Sequence, residues 1–319
     1  MNAAPRRIDV HFHLIPPFYR DAVYAAGRGP AIGKYPDWTP QIALEVMDAH
    51  GIELALTSLA QPGVGFGAPE AMQALARRCN EYAAELIARW PARFGAFATA
   101  PMGEIDRALT EIAHALDTLR FDGVSLFASY GERFLGDRAL DPVLAMLNAR
   151  GAVAFVHPGL HPSSKSLALP WPAFMMEYLF DTTRAVVNLV FSGAIERFPR
   201  VRFILPHAGG LVPYFAWRLA MSPVIDQRLP QLSRDQVYAA LRQFWYDNAL
   251  SPGEQTFGAL DHVARPERIV FGTDFPFANP RVIAQALNTY ESGFLSEERR
   301  FAIDRANALA LFPKYAASV

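Results

Sequence analysis

The chain has 319 residues, a formal net charge of −1 and 51% hydrophobic residues, enough for a large core. No basic run stands out, so nucleic-acid binding has no electrostatic support. Cys79 is the only cysteine, which excludes an intrachain disulfide and a cysteine-cluster metal site.

The first apolar run, 8–13, reads Ile8-Asp9-Val10-His11-Phe12-His13 and predicts a strand. Residues 15–37 follow, rich in Pro, Gly and Tyr, and read as a long loop. Helical periodicity covers 40–50, with Ile42, Val46 and Met47 on one stripe. A strand over 54–60 leads to a helix over 70–89, whose apolar stripe includes Cys79. Strand 94–100, helix 105–119, strand 123–128 and a short helix over 142–149 come next. The run 152–157 is a strand ending in His157, and a second long loop, 159–172, contains Trp171. A long helical pattern over 174–198 leaves room for a break. Strand 202–207 ends in His207, before Ala208-Gly209-Gly210 and a helix over 210–221. Strand 244–249, helix 254–263, strand 269–274 ending in Asp274, and helices 280–290 and 297–311 complete the chain.

Alternating strands and helices argue for βα units and a parallel sheet. Eight such units favour a closed (β/α)8 TIM-like barrel over an open doubly wound sheet. No GxGxxG follows the first strand. No linker divides the chain, so residues 1–319 are expected to form one domain, with the two long loops over the C-terminal face. No apolar run is long enough to span a bilayer, and residues 1–7 lack a signal peptide's apolar stretch. A soluble, cytoplasmic protein is the expectation.

All strand C-termini of such a barrel meet at one face, where active sites are built. Here they carry metal-capable side chains. His11 and His13, two apart on a strand, point to one side and can share one Zn²⁺ or Mn²⁺. His157 and His207 occupy the same place in successive βα units. Asp274 closes an apolar strand, where a carboxylate must be solvated, paired or metal-bound. Helix capping by Asp274 is disfavoured by Pro276 and by the distance to Pro280. These features point to a mononuclear metal enzyme. His50, His114 and His262 fall in helical patterns and are expected on the outer layer; His161 lies in the second long loop.

Asp9-Val10-His11-Phe12-His13, Phe155-Val156-His157-Pro158, His207-Ala208-Gly209-Gly210 and Gly272-Thr273-Asp274-Phe275-Pro276-Phe277 together resemble the amidohydrolase superfamily. The resemblance is closest to its branch of aminocarboxymuconate semialdehyde and hydroxybenzoate decarboxylases. It extends through Trp38, Met47-Asp48-Ala49-His50-Gly51, Asn80-Glu81, Asp181-Thr182-Thr183 and Asn307-Ala308 over nearly the whole chain. It implies that His11, His13, His157 and Asp274 ligate one divalent metal, Zn²⁺ before Mn²⁺, with His207 as general acid/base. A second metal bridged by a strand-4 lysine is not expected, because Lys34, Lys165 and Lys314 all lie elsewhere.

The branch's arginine before Trp38 is missing. Lys34 lies there instead, and a point charge is not a bidentate fork. Phe12, Phe127, Trp171, Phe275 and Phe277 give the candidate walls an apolar character. A mono-carboxylated aromatic acid of the o-hydroxybenzoate type is therefore favoured over a dicarboxylate. The implied reaction is non-oxidative decarboxylation, with Asp274 or His207 protonating the ring carbon. The alternative is hydrolysis of a lactone or amide by a metal-activated water. Phe12, Trp171, Phe277 and Arg218 are the expected substrate contacts. Arg218 matches an arginine that the family can present across a dimer interface, and a homodimer is expected.

Overall fold

The computed structural model describes residues 6–167 and 170–316. Its strands are β1 (Arg7–His13), β2 (Ile52–Ser58), β3 (Phe94–Ala98), β4 (Gly123–Phe127), β5 (Ser129–Tyr130), β6 (Arg133–Phe134), β7 (Val153–His157), β8 (Arg202–Leu205), β9 (Trp245–Asp247) and β10 (Ile269–Val270). β5 and β6 form a small antiparallel hairpin. The other eight are parallel, in the order β1-β2-β3-β4-β7-β8-β9-β10. A bridge between Phe12 and Phe275, with the Val10 N–H donating to Phe271 O (3.0 Å), joins the last strand to the first. The architecture is a (β/α)8 barrel, as expected.

The helices are α1 (Pro17–Ala25), α2 (Pro40–Ala49), α3 (Pro69–Arg89), α4 (Ile105–Ala113), α5 (Asp141–Arg150), α6 (Glu177–Phe191), α7 (Ala194–Arg197), α8 (Val212–Ile225), α9 (Arg234–Leu241), α10 (Glu254–Leu260), α11 (Pro280–Tyr290), α12 (Glu297–Phe301) and α13 (Asn307–Leu311). The long pattern over 174–198 does break. Gly193, at φ 71°, separates α6 from α7, a conformation open to glycine at little cost. The stretch 15–37 is not all loop. Pro17 pre-sets the first turn of α1, and Tyr19 and Val23, one turn apart, are buried. Helix α9 has a clear local cause that the apolar pattern hides: Ser233 and Gln236 form a reciprocal capping box.

Strand 269–274 is shorter than its apolar pattern. Only Ile269–Val270 stays in the ladder, and Asp274 adopts φ 66°. The Asp274 N–H still donates to His11 O (2.8 Å), so the segment remains tied to β1.

The interior below the C-terminal face is apolar. Ile8, Val10, Leu54, Leu56, Phe155 and Ile204 pack there with Leu311, Phe312 and Tyr315 from the chain's last turns. Phe312, Phe97 and Phe155 form an aromatic column, at 6.0 and 5.3 Å between ring centres, that reaches the His11 ring at 4.9 Å.

β4 and β7 approach closely at Gly123, where a Cβ would run into the carbonyl of Val153. Since backbone cannot yield as a side-chain tip can, Gly123→Ala is expected to destabilise the barrel by ~1–3 kcal/mol. Denaturant unfolding of the two proteins measures it.

Candidate metal centre

A bulge in β1 aims the two histidines. Asp9 and Phe12 pair with Ala55 and Thr57, so β1 spends three steps where β2 spends two. The extra residue shifts the alternation of faces. Ile8 and Val10 pack in the apolar interior, yet His11, an odd number of positions on, packs on the interior ring of Phe155. His13 follows on the same side, its ring 5.0 Å from His11.

His11, His13, His157 and Asp274 are all buried, and one ligand atom from each lies within 4.8 Å of the others. Each imidazole is held from behind. His11 Nδ1–H donates to Asp247 Oδ2 at 2.8 Å, and His157 Nδ1–H to Pro158 O at 2.8 Å. His13 Nδ1 meets Ser58 O at 3.3 Å and Ser58 Oγ at 3.1 Å. These bonds put the proton on Nδ1 and leave Nε2 free toward the cluster centre. Buried His11 Nε2 has no hydrogen-bond partner. A divalent ion fits this donor set of three imidazole nitrogens and one carboxylate.

At His13, His157 and Asp274, charge and burial agree with that reading. Burial pulls His13 down, and pulls His157 well below the usual imidazole value with help from His13 and His11. Burial resists ionisation of Asp274, but His11, His13 and His207 outweigh it and hold the carboxyl well below its usual range. Burial likewise opposes a proton on His11; Asp247 and Asp274 prevail and push it up to about 10.

Two further carboxylates brace the cluster. Asp247 Oδ1 accepts the His207 N–H (2.9 Å) and the Ala249 N–H (3.0 Å), while Oδ2 holds His11. Asp9 accepts from Thr273 Oγ1 (2.6 Å) and from the His11 N–H (2.9 Å), pinning β1 to the segment before Asp274. Burial raises Asp9 to about 7 despite those bonds. His207 sits beside the cluster, with Nε2 3.5 Å from Asp274 Oδ2.

A cavity of about 420 Å³ opens above, with His157, His207 and Asp274 at its floor. Its walls include Ile32, Phe174, Met175, Leu179, Phe277 and Val282, with Gln61, Tyr178 and Ser251 as polar points. No lysine or arginine lines it among the described residues. Of the expected substrate contacts, Phe277 lines this cavity. Phe12 is fully buried behind the wall, its ring 4.8 Å from Phe275. Trp171 is 44% exposed and stands off the lining. Arg218 is exposed on α8, and Lys34 is exposed on the loop after α1. Asp247, Gln61 and Tyr178 were not singled out from sequence. Asp247 had a usable signal, a carboxylate in an apolar strand run; Gln61 and Tyr178 had none.

A barrel with this strand-end donor set belongs to a defined class. The family model described as Amidohydrolase matches residues 8–314, and the chain belongs to that family. It is 37% identical to 6-methylsalicylic acid decarboxylase of Penicillium expansum, over 97% of this chain and 96% of that protein. It is 30% identical to gamma-resorcylate decarboxylase of Rhizobium radiobacter, over 84% and 85% of the two chains. The crystal structure of 2,6-dihydroxybenzoate decarboxylase from Rhizobium superposes with a TM-score of 0.79 at 25% identity, covering 97% of this chain and 99% of that one.

The Asp247 brace gives a direct test. Asp247→Asn keeps the side chain's shape but removes the charge behind His11. Affinity for Mn²⁺ or Zn²⁺, measured by chelator competition, is expected to fall ~10–100-fold with the circular dichroism unchanged.

Proposed function

We propose that this protein is a metal-dependent, non-oxidative decarboxylase of a mono-carboxylated aromatic acid of the o-hydroxybenzoate type, with residues 1–319 acting as one domain. The observation that carries the reading is the cavity itself. Its floor is the ligand cluster and its walls are apolar and free of lysine and arginine among the described residues. A substrate carboxylate finds its electropositive partner only at that floor, and a second carboxylate would be buried unpaired at a cost of several kcal/mol. The names of the relatives, decarboxylases of methylsalicylic and resorcylic acids, support the same reading.

His11, His13 and His157 through Nε2, and Asp274 through a carboxylate oxygen, would hold one ion, Zn²⁺ in preference to Mn²⁺. Such an ion supplies a Lewis-acid anchor for the acid's carboxylate and neighbouring hydroxyl, and stabilises developing charge. Phe277, Met175 and Tyr178 flank the ring and exclude water. Loss of carbon dioxide breaks the bond from ring carbon to carboxylate and leaves the electron pair on the ring. A proton must reach that carbon, from Asp274 or His207, which stand within 3.5 Å of each other. His207 is anchored through its N–H to Asp247, so its ring stands on fixed backbone.

Two wider statements belong to this proposal. A homodimer is favoured by α8, where Tyr214 and Trp217 are 82% and 65% exposed beside Arg218; light scattering reads it. Residence in the cytoplasm accords with the absence, among the described residues, of any helix long and apolar enough to cross a membrane.

Purified protein loaded with Zn²⁺ or Mn²⁺ is expected to release carbon dioxide from salicylate-type acids, and to lose that activity on chelation and regain it on re-addition. Opening of a lactone without carbon dioxide release would instead favour hydrolysis. His207→Ala is expected to lower kcat by ~10²–10⁴ while the metal content stays that of the parent. Full turnover in that variant removes His207 from the chemistry.

A further inference from the structure

Gln61 lies past the end of β2, at the boundary between the main cavity and a second one of about 200 Å³. It lines both. The Tyr178 hydroxyl donates to Gln61 Oε1 at 3.1 Å. The amide nitrogen therefore faces away from Tyr178, on the side of Gly159. Among the described residues it has no protein acceptor. Gln61 is half-buried and lines the cavity, so this N–H pair is available to an oxygen that enters there. The metal-capable atoms belong to His11, His13, His157 and Asp274, and Gln61 stands outside that cluster as a donor on the cavity wall.

We infer that Gln61 is a specificity residue. Its amide nitrogen donates a hydrogen bond to an oxygen substituent on the aromatic ring, other than the carboxylate and hydroxyl bound at the floor. The inference rests on the decarboxylase reading for what the ligand is, but the Gln61 contact stands on its own geometry. Beyond the amide, the second cavity offers Val64, Met102, Phe127 and Leu160, with Arg28, Ser129 and Tyr130 as polar side chains. Ring substituents on that side meet the Gln61 amide first, at the boundary, before the mixed lining beyond it. Tyr178 acts through Gln61 and is a positioning residue.

The test compares Q61L, Q61N and Y178F with the parent, each loaded with Mn²⁺. The ligands are salicylate as reference and 2,4-, 2,5- and 2,6-dihydroxybenzoate. Both kcat/KM for carbon dioxide release and Kd by calorimetry are measured. Q61L is expected to weaken at least one dihydroxybenzoate by about fivefold to tenfold in Kd, the loss of one hydrogen bond, with salicylate changed less than about twofold. Y178F, which frees the amide to turn over, is expected to show a smaller loss for the same isomer. A Q61L protein that weakens all four acids equally, or none, overturns the assignment. Q61N keeps the amide but shortens its reach and decides the point if Q61L does not fold. If the parent decarboxylates none of the acids, the functional reading fails, and the Kd ratios alone decide Gln61.

Discussion

A carboxylate sealed among imidazoles sets the terms on which the rest of this barrel is built. Asp274 meets His13 at 3.1 Å, His11 at 3.3 Å and His207 at 3.5 Å, all away from bulk water. Such a charge is tolerated only with partners held in place. The backbone around it is bent to suit. His207, Leu250 and Asp274 all line the cavity and all adopt positive φ, a conformation side chains with a Cβ rarely take. That strain persists because strands on either side over-determine it. The Asp274 N–H is bonded to His11 O, and the His207 N–H to the Asp247 carboxylate.

The polar cluster stands on an apolar support with little give. Rings in contact from Phe312 through Phe97 and Phe155 carry the His11 imidazole. The β1 bulge lets one strand serve both layers, because the extra residue brings Val10 and His11 to the same interior. Regular alternation would have given either a packed core or a donor pair on that strand, but not both. Asp9 then finds itself between strands, where it ties the first to the last through Thr273.

Much of this could be read from the chain because barrel topology turns sequence position into spatial position. His11, His13, His157, His207 and Asp274 lie at strand ends, so the fold itself brings them to one face. Side chains that reach the cavity from loops have no such rule. Phe277 does line it, whereas Phe12 turns into the wall, a choice made by the bulge and by Phe275. Trp171 belongs to a segment whose neighbours Phe174 and Met175, rather than itself, meet the cavity. Asp247 sits where His157 and His207 sit in their own units, and the aromatic residues around it mask the pattern. Gln61 and Tyr178 gain their meaning from each other, 117 positions apart. No periodicity reports such a pair.

The closing turns of the chain have a consequence for traffic. Leu311, Phe312 and Tyr315 are packed into the barrel's lower end, below the aromatic column. The tube is blind. Whatever enters from the loop face departs by that face, and a bound aromatic ring stands between the floor and the door. A gas freed at the floor therefore leaves past the ring or after it. Entry and exit thus share one route, past Ile32, Phe174 and Met175.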